Sequence, residues 1–135
     1  MTRYMLDTNT VSHFFKKHPA VARRVVAAPI TSLCISAITQ GELLFGLAKR
    51  PGATALHVAV REFLRRVDVL SWDAATSEAY GPARASTERE GRVLAPMDLL
   101  IGAHALSIDA VLVTNDRAFG QLSRLLIEDW TEESR

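Results

Sequence analysis

Short apolar runs alternate with longer stretches of helical periodicity along the chain. Tyr4-Met5-Leu6 is apolar and stops at Asp7-Thr8-Asn9, the pattern of a buried strand running into a helix. Thr8 or Asn9 can cap that helix, which reads through Phe15. Pro19 stands where a second helix would start, and Val21, Val25 and Val26 follow it. Thr31 to Ser36 reads as a second strand. Ala37 to Lys49 reads as a third helix, closed by Arg50, Pro51 and Gly52. From Ala53 to Arg66, Leu56, Val60, Phe63 and Leu64 recur near helical spacing, and Val67 to Leu70 reads as a third strand. Asp73 to Glu90 is amphipathic and ends at Gly91. Gly81 and Pro82 inside it predict a kink or a split. Leu125 to Glu128 reads as a last short strand before an acidic tail.

The stretch from Met97 to Asp116 fixes more than its own structure. Leu99 to Ile108 is apolar nearly all round, Asp109 and Ala110 break it, and Val111 to Thr114 is a β-branched run. About 11 helical residues at ~1.5 Å each climb roughly 16 Å. About 5 strand residues at ~3.3 Å each descend the same distance. If helix and strand pack antiparallel, Asp116 returns to the level of Asp98. Strand and helix alternate throughout, which predicts an α/β fold with a parallel sheet and helices on both faces. In such sheets the carboxyl ends of the strands are where ligands bind.

Composition narrows the picture. With 135 residues there is room for one domain, residues 1–135, with a real core. Hydrophobic residues make up 48% of the chain, which argues against disorder. The net charge of +1 offers no global field for nucleic acid, so any such site must be a local patch. Cys34 is the one cysteine and has no internal disulfide partner, which fits a reducing compartment. Its apolar neighbours Leu33 and Ile35 make it a small buried hydrophobe. No run reaches membrane-spanning length and the N-terminus lacks a signal-peptide pattern, so a cytoplasmic protein with no membrane partner is expected.

Four acids stand out by position. Asp7 and Asp116 lie just past buried strands, and Asp98 opens the apolar helix. Glu42 lies in the third helix, with Ile38 four residues before it and Phe45 three after, so it reads as a charge on an apolar face. Gly41 and Gly46 beside it suggest close packing there, since both cost helix stability. Each acid also has a plain structural reading. Asp98 can serve as an N-cap or first-turn residue, Asp7 and Asp116 as turn residues, and Glu42 as a solvated helix position. Those readings do not explain why three acids fall on one edge. Glu42 joins them if its helix lies across that edge.

Carboxylates gathered in one place raise one another's pKa, and a divalent cation removes the conflict. Oxygen ligands suit Mg²⁺, with Mn²⁺ able to substitute. Such a site activates water for attack on a phosphodiester without a serine, cysteine or histidine nucleophile. Thr8, Asn9, Thr114, Asn115 and Ser36 are placed to hydrogen-bond carboxylates or bound water, although cap and turn chemistry also accounts for them. His104, two turns past Asp98, reads as a satisfied core or supporting histidine. A phosphatase of the haloacid-dehalogenase kind would need an aspartate where Asn9 stands. A non-catalytic module, or DNA cleavage by the same acids, stays open.

Taken together these residues resemble the PIN-domain ribonucleases, most closely the VapC toxins of bacterial type II toxin–antitoxin systems. The resemblance spans nearly the whole chain. It rests on Met5-Leu6-Asp7-Thr8-Asn9, Ser36-Ala37-Ile38-Thr39-Gln40-Gly41-Glu42-Leu43, Pro96-Met97-Asp98-Leu99-Leu100-Ile101-Gly102-Ala103-His104-Ala105, Leu112-Val113-Thr114-Asn115-Asp116 and Leu126-Ile127-Glu128-Asp129-Trp130. It implies a PIN-like three-layer α/β/α fold around a mostly parallel sheet of four to five strands. It implies catalytic and metal-holding roles for Asp7, Glu42, Asp98 and Asp116, the last being the family's most variable position. It implies Mg²⁺- or Mn²⁺-dependent cleavage of single-stranded loops in tRNA or ribosomal RNA, and so inhibition of translation. It also implies a homodimer and a VapB-type antitoxin whose C-terminal segment covers the acids, in a heterotetramer or larger assembly. Arg61, Arg65 and Arg66 on one helix, and Arg84, Arg89 and Arg92 on another, are the arginine clusters that could meet RNA, or simply solvated faces.

Overall fold

Every strand of the sheet is parallel to its neighbours. In the computed structural model, which describes residues 1–132, the strands are β1 (Tyr4–Leu6), β2 (Leu33–Ser36), β3 (Asp68–Leu70), β4 (Val111–Val113) and β5 (Ile127–Glu128). They lie in the order β3-β2-β1-β4-β5, all paired in parallel. The helices are α1 (Thr8–Phe15), α2 (Pro19–Ala27), α3 (Ala37–Ala48), α4 (Thr54–Arg66), α5 (Ala74–Arg89) and α6 (Pro96–Ser107). The α/β reading of the hydrophobic pattern is therefore what the chain adopts.

The central strands are short because parallel strands covered on both faces need only continuous apolar residues. Leu6, Leu33, Ile35 and Val113 enter one core with Val11, Val21, Leu43, Leu47, Val60 and Phe63 from α1 to α4. Met5, Cys34 and Leu112 enter a second core with Leu99, Ile101 and Ala105 of α6, flanked by Tyr80 and Ala83 of α5. Each aliphatic side chain fully removed from water in these layers contributes about 1.5–3 kcal/mol. Cys34 is fully buried, and burial pushes its thiol up to about 11, as an inert core residue requires.

The acidic residue or hydroxyl before each of three helices is a cap. The carboxylate of Asp7 accepts from Thr10 N at 2.8 Å, Ser36 Oγ accepts from Ile38 N at 3.1 Å, and Asp73 accepts from Thr76 N at 3.0 Å. Pro19 opens α2 as expected, with His18 Nδ1 accepting from Val21 N.

Several expectations need correction. Thr31 is not in a strand: Ile30–Ser32 is a 3₁₀ turn, because Ser32 folds its N–H and hydroxyl back onto the Pro29 carbonyl. Val67 caps α4 rather than opening β3. At the end of the chain only Ile127–Glu128 is strand, although Leu126 O already accepts from Leu112 N. Helix α5 is not split at Gly81-Pro82. The proline removes the hydrogen bond to the carbonyl of Glu78, which lies on an exposed stretch of the helix with Gly81 and Pro82. The close packing inferred at Gly41 and Gly46 is absent, since a Cβ at either would meet nothing within 4 Å. The glycine that packing requires is Gly102 of α6, where a Cβ would stand 2.5 Å from Leu122 Cδ1.

Helix α3 crosses the carboxyl edge of the sheet. Its Leu43 and Leu47 belong to the first core, while Ile38 packs against the second. Among the described residues no helix is long and apolar enough to cross a membrane.

Candidate active site

The chain leaves β1 for β2 and β3 on one side and returns to β4 on the other. The crevice between β1 and β4 is thus the switch point of the sheet, the place where open α/β folds hold ligands. Asp7 follows β1 and Asp116 follows β4 by three residues, so the crevice is flanked by two carboxylates. Asp98, in the first turn of α6, faces them because α6 runs antiparallel to the strand it precedes. Glu42 reaches the same end from α3.

Asp7 is 4% exposed. Its pKa is raised from the ordinary 3.8, above all by burial and further by Asp116, against the hydrogen bonds from Thr114 and Thr10. Asp98 is also raised, first by partial burial and then by the charges of Asp116, Asp7 and Glu42. The four acids are therefore electrical neighbours, and Asp116 is the strongest charged influence on both other aspartates. No Lys or Arg forms an ion pair with any of the four among the described residues. The carboxylates do not close into a cage: no group of three or more His, Cys, Asp or Glu among the described residues is placed to hold an ion as it stands. Expected as four converging ligands, the acids instead form an open set.

Hydroxyl groups organise this set. Thr114 is buried; its Oγ1 accepts from Asp116 N at 3.0 Å and its side chain hydrogen-bonds Asp7, so one threonine joins two of the acids. Thr8 Oγ1 donates to Glu42 Oε1 at 2.5 Å and lies 3.3 Å from Thr39 Oγ1. Thr10 Oγ1 donates to Val113 O at 3.0 Å, which clamps α1 to β4 beneath the crevice. Asp116 caps the 3₁₀ turn Arg117–Gln121 through Ala118 N at 2.9 Å.

The sequence expectations fare unevenly. Asp7 and Asp116 are caps and, at the same time, members of the acidic set. Asp98 is not a cap: it hydrogen-bonds nothing among the described residues, and the cap position of α6 is Ala95. Glu42 does not sit on a buried apolar face. Phe45 is 62% exposed, and the buried side of α3 is Thr39, Leu43 and Leu47. Glu42 instead borders a groove of about 300 Å³ with Thr8, Lys16, Lys49 and Arg50 on its rim and Phe15, Leu43 and Leu56 in its floor. Ser36 does not touch the acids, because its hydroxyl is engaged by Ile38 N and His104 Nδ1. Asn9 is exposed and hydrogen-bonds none of them. Of the arginines, Arg65 and Arg66 pair with Glu62, Arg84 with Glu88 and Arg92 with Glu90, as a solvated face does. Thr10 and Thr39 were not legible as site residues; their signal was only the i+3 spacing of each from a helix cap.

The profile of the PIN domain matches residues 4–125. The chain belongs to the PIN-domain family. This PIN domain is 36% identical to the tRNA(fMet)-specific endonuclease VapC of Shigella flexneri over 97% of its own length and all of that protein. It is 32% identical to ribonuclease VapC2 of Rickettsia felis, covering 94% of this chain and 97% of the relative. Among solved structures, a chain of DNA-bound VapBC from Salmonella typhimurium superposes with a TM-score of 0.89 at 35% identity, over 96% of this chain and 99% of that one. VapBC2 of Rickettsia felis, bound to a fragment of promoter DNA, gives 0.87 at 30% identity, over 96% and 99%. The chain is thus a VapC-type PIN domain over nearly its full length.

Proposed function

We propose that this PIN domain is a metal-dependent endoribonuclease, the toxin of a type II toxin–antitoxin pair. It would act in the cytoplasm on single-stranded loops of tRNA or ribosomal RNA. The observation that carries the reading is the unpaired acidic set at the switch point of the sheet, on a chain that matches VapC ribonucleases from end to end.

The donor set fits Mg²⁺, or Mn²⁺ in its place. All four groups are oxygen ligands; Asp116 raises the pKa of both Asp7 and Asp98, and Asp7 and Glu42 raise that of Asp98 further, a cost that a cation removes. Mg²⁺ uses one or two carboxylates directly and keeps several waters, so carboxylates standing a water apart still serve it. Asp7, Asp98 and Asp116 would hold it, with Glu42 at the margin. When bound, the ion supplies charge neutralisation and an activated water for in-line attack on a phosphodiester. The chain's own residues do the rest. Thr114 fixes the relative orientation of Asp7 and Asp116, Thr8 fixes Glu42, and burial of Asp7 keeps bulk water off one side of the crevice. Lys16, Lys49 and Arg50 on the adjoining groove offer the local positive patch that an RNA backbone needs and the net charge does not provide.

A VapB-type antitoxin would cover the acids with its C-terminal segment, an arginine pairing bidentately with carboxylates that lack a cation of their own. A homodimer, and a heterotetramer or larger assembly with the antitoxin, completes the proposal. The test is cleavage of structured RNA by metal-stripped protein on adding back Mg²⁺ or Mn²⁺. Activity that needs the ion and disappears in Asp7→Asn and Asp98→Asn supports the reading. Cleavage that persists in EDTA overturns it.

A further inference from the structure

Several buried polar residues take no part in this mechanism, and among the described residues His104 is the one that is titratable. His104 lies on α6, six residues past Asp98, and is 1% exposed. Its Nδ1 is 2.7 Å from Ser36 Oγ. The same Ser36 oxygen accepts from Ile38 N and so caps α3, the helix that carries Glu42 six residues later. A serine hydroxyl has one proton and two lone pairs. With one lone pair taken by Ile38 N–H, its proton is best spent on Nδ1, which leaves the ring neutral. Burial agrees, holding the ring below its ordinary value against the pull of Asp73 and a hydrogen bond with the Ser71 backbone.

The consequence is geometric. From the Ser36–His104 contact, α3 advances about 9 Å to Glu42, and α6 read backwards covers about 9 Å to Asp98. Side chains on a helix lean toward its N-terminus, so His104 leans toward the acids. Thr76 and Ser107 brace the same region, with Ser107 Oγ donating to His104 O at 2.7 Å and lying 3.3 Å from Thr76 Oγ1. We propose that His104 is a positioning residue: its bond to Ser36 bolts the start of α3 to the middle of α6 and thereby sets the separation of the Glu42 and Asp98 carboxylates. The part of this that concerns catalysis rests on the endoribonuclease reading; the bolt itself does not.

The experiment uses the full chain with His104→Leu, His104→Asn and Ser36→Ala. Leucine fills the space without a polar atom, asparagine returns a polar atom near the place of Nδ1, and Ser36→Ala cuts the bolt from the other side should His104→Leu fail to fold. Crystal structures of the metal-free variants read the Glu42–Asp98 separation. It should grow in His104→Leu and Ser36→Ala and return in His104→Asn. Mg²⁺ titration of the melting temperature should show affinity weakened by about tenfold or more in the first two. With RNA, kcat should fall while KM holds. An unchanged separation in both bolt-cutting variants overturns the proposal. Wild-type protein that neither responds to Mg²⁺ nor cleaves RNA overturns the function reading instead, and the crystal separations still decide the bolt.

Discussion

Asp68 and Asp7 show how differently one sheet treats its acids. Asp68 opens edge strand β3, is exposed, and pairs with Arg3 at 3.0 Å. Asp7, just past the end of central strand β1, is buried without a cation and is influenced by Asp116, while Asp98 is influenced by Asp116, Asp7 and Glu42. An exposed pair such as Arg3–Asp68 contributes about 0–1 kcal/mol, and its loss should pass almost unnoticed. The carboxyl end of the central strands keeps charges that destabilise the metal-free fold, and a fold retains such a conflict where something else resolves it.

The sharpest way to widen this contrast is to remove one carboxylate. Asp98→Asn and Asp7→Asn should each lower RNA cleavage by about a thousandfold, the scale of several kcal/mol of charge stabilisation. Arg3→Ala, measured in the same assay, should leave the rate within about twofold. Next in size is the hydroxyl scaffold. Thr114→Val breaks the link between Asp7 and Asp116 and should cost about 10–100-fold in metal affinity or rate, with Thr114→Ser restoring most of it. Equal activity in the valine and serine proteins would remove Thr114 from the account.

Smaller effects appear in stability. At about 100 times its dissociation constant, Mg²⁺ should stabilise the native protein by about 2.7 kcal/mol, read as a higher melting temperature that Asp7→Asn/Asp98→Asn loses. The smallest effect is the pH slope. Asp7 and Asp98 have native pKa values above 3.8. In the window from 3.8 up to those raised values, the native state holds protons that the unfolded chain has released. Metal-free stability should therefore fall as pH rises through that window. Asp98→Asn should flatten the slope and raise the metal-free melting temperature at neutral pH. A slope of opposite sign would mean that the acids are stabilised by partners in the metal-free state.

Much of this was legible in the chain because parallel sheets write themselves in short apolar runs. Met5, Leu6 and Val111–Val113 are buried as their composition requires, and the acid after each strand is carried by topology to the crevice. The length matching of α6 and β4 brings Asp98 toward Asp116, and Asp116 is the leading charge acting on Asp98. What failed was local. The 3₁₀ turns at Ile30–Ser32 and Arg117–Gln121 are too short for periodicity to register, and serine and aspartate side chains decide them. Ile38 and Phe45 flank Glu42 and suggest a buried apolar face, yet Ile38 is only partly buried and Phe45 stays in solvent, while Thr39, Leu43 and Leu47 form the buried side of α3. Ser36 looked like a partner for carboxylates because hydroxyls at strand ends often are. No spacing rule could show that His104, 68 residues away, is its hydrogen-bond partner.

The most direct test is a crystal structure grown with Mn²⁺, whose anomalous signal marks the ion. The account predicts one peak in the β1–β4 crevice, held by Asp7, Asp98 and Asp116 with water completing its shell, and lost in Asp98→Asn. A structure at saturating Mn²⁺ with no ion in that crevice would contradict it.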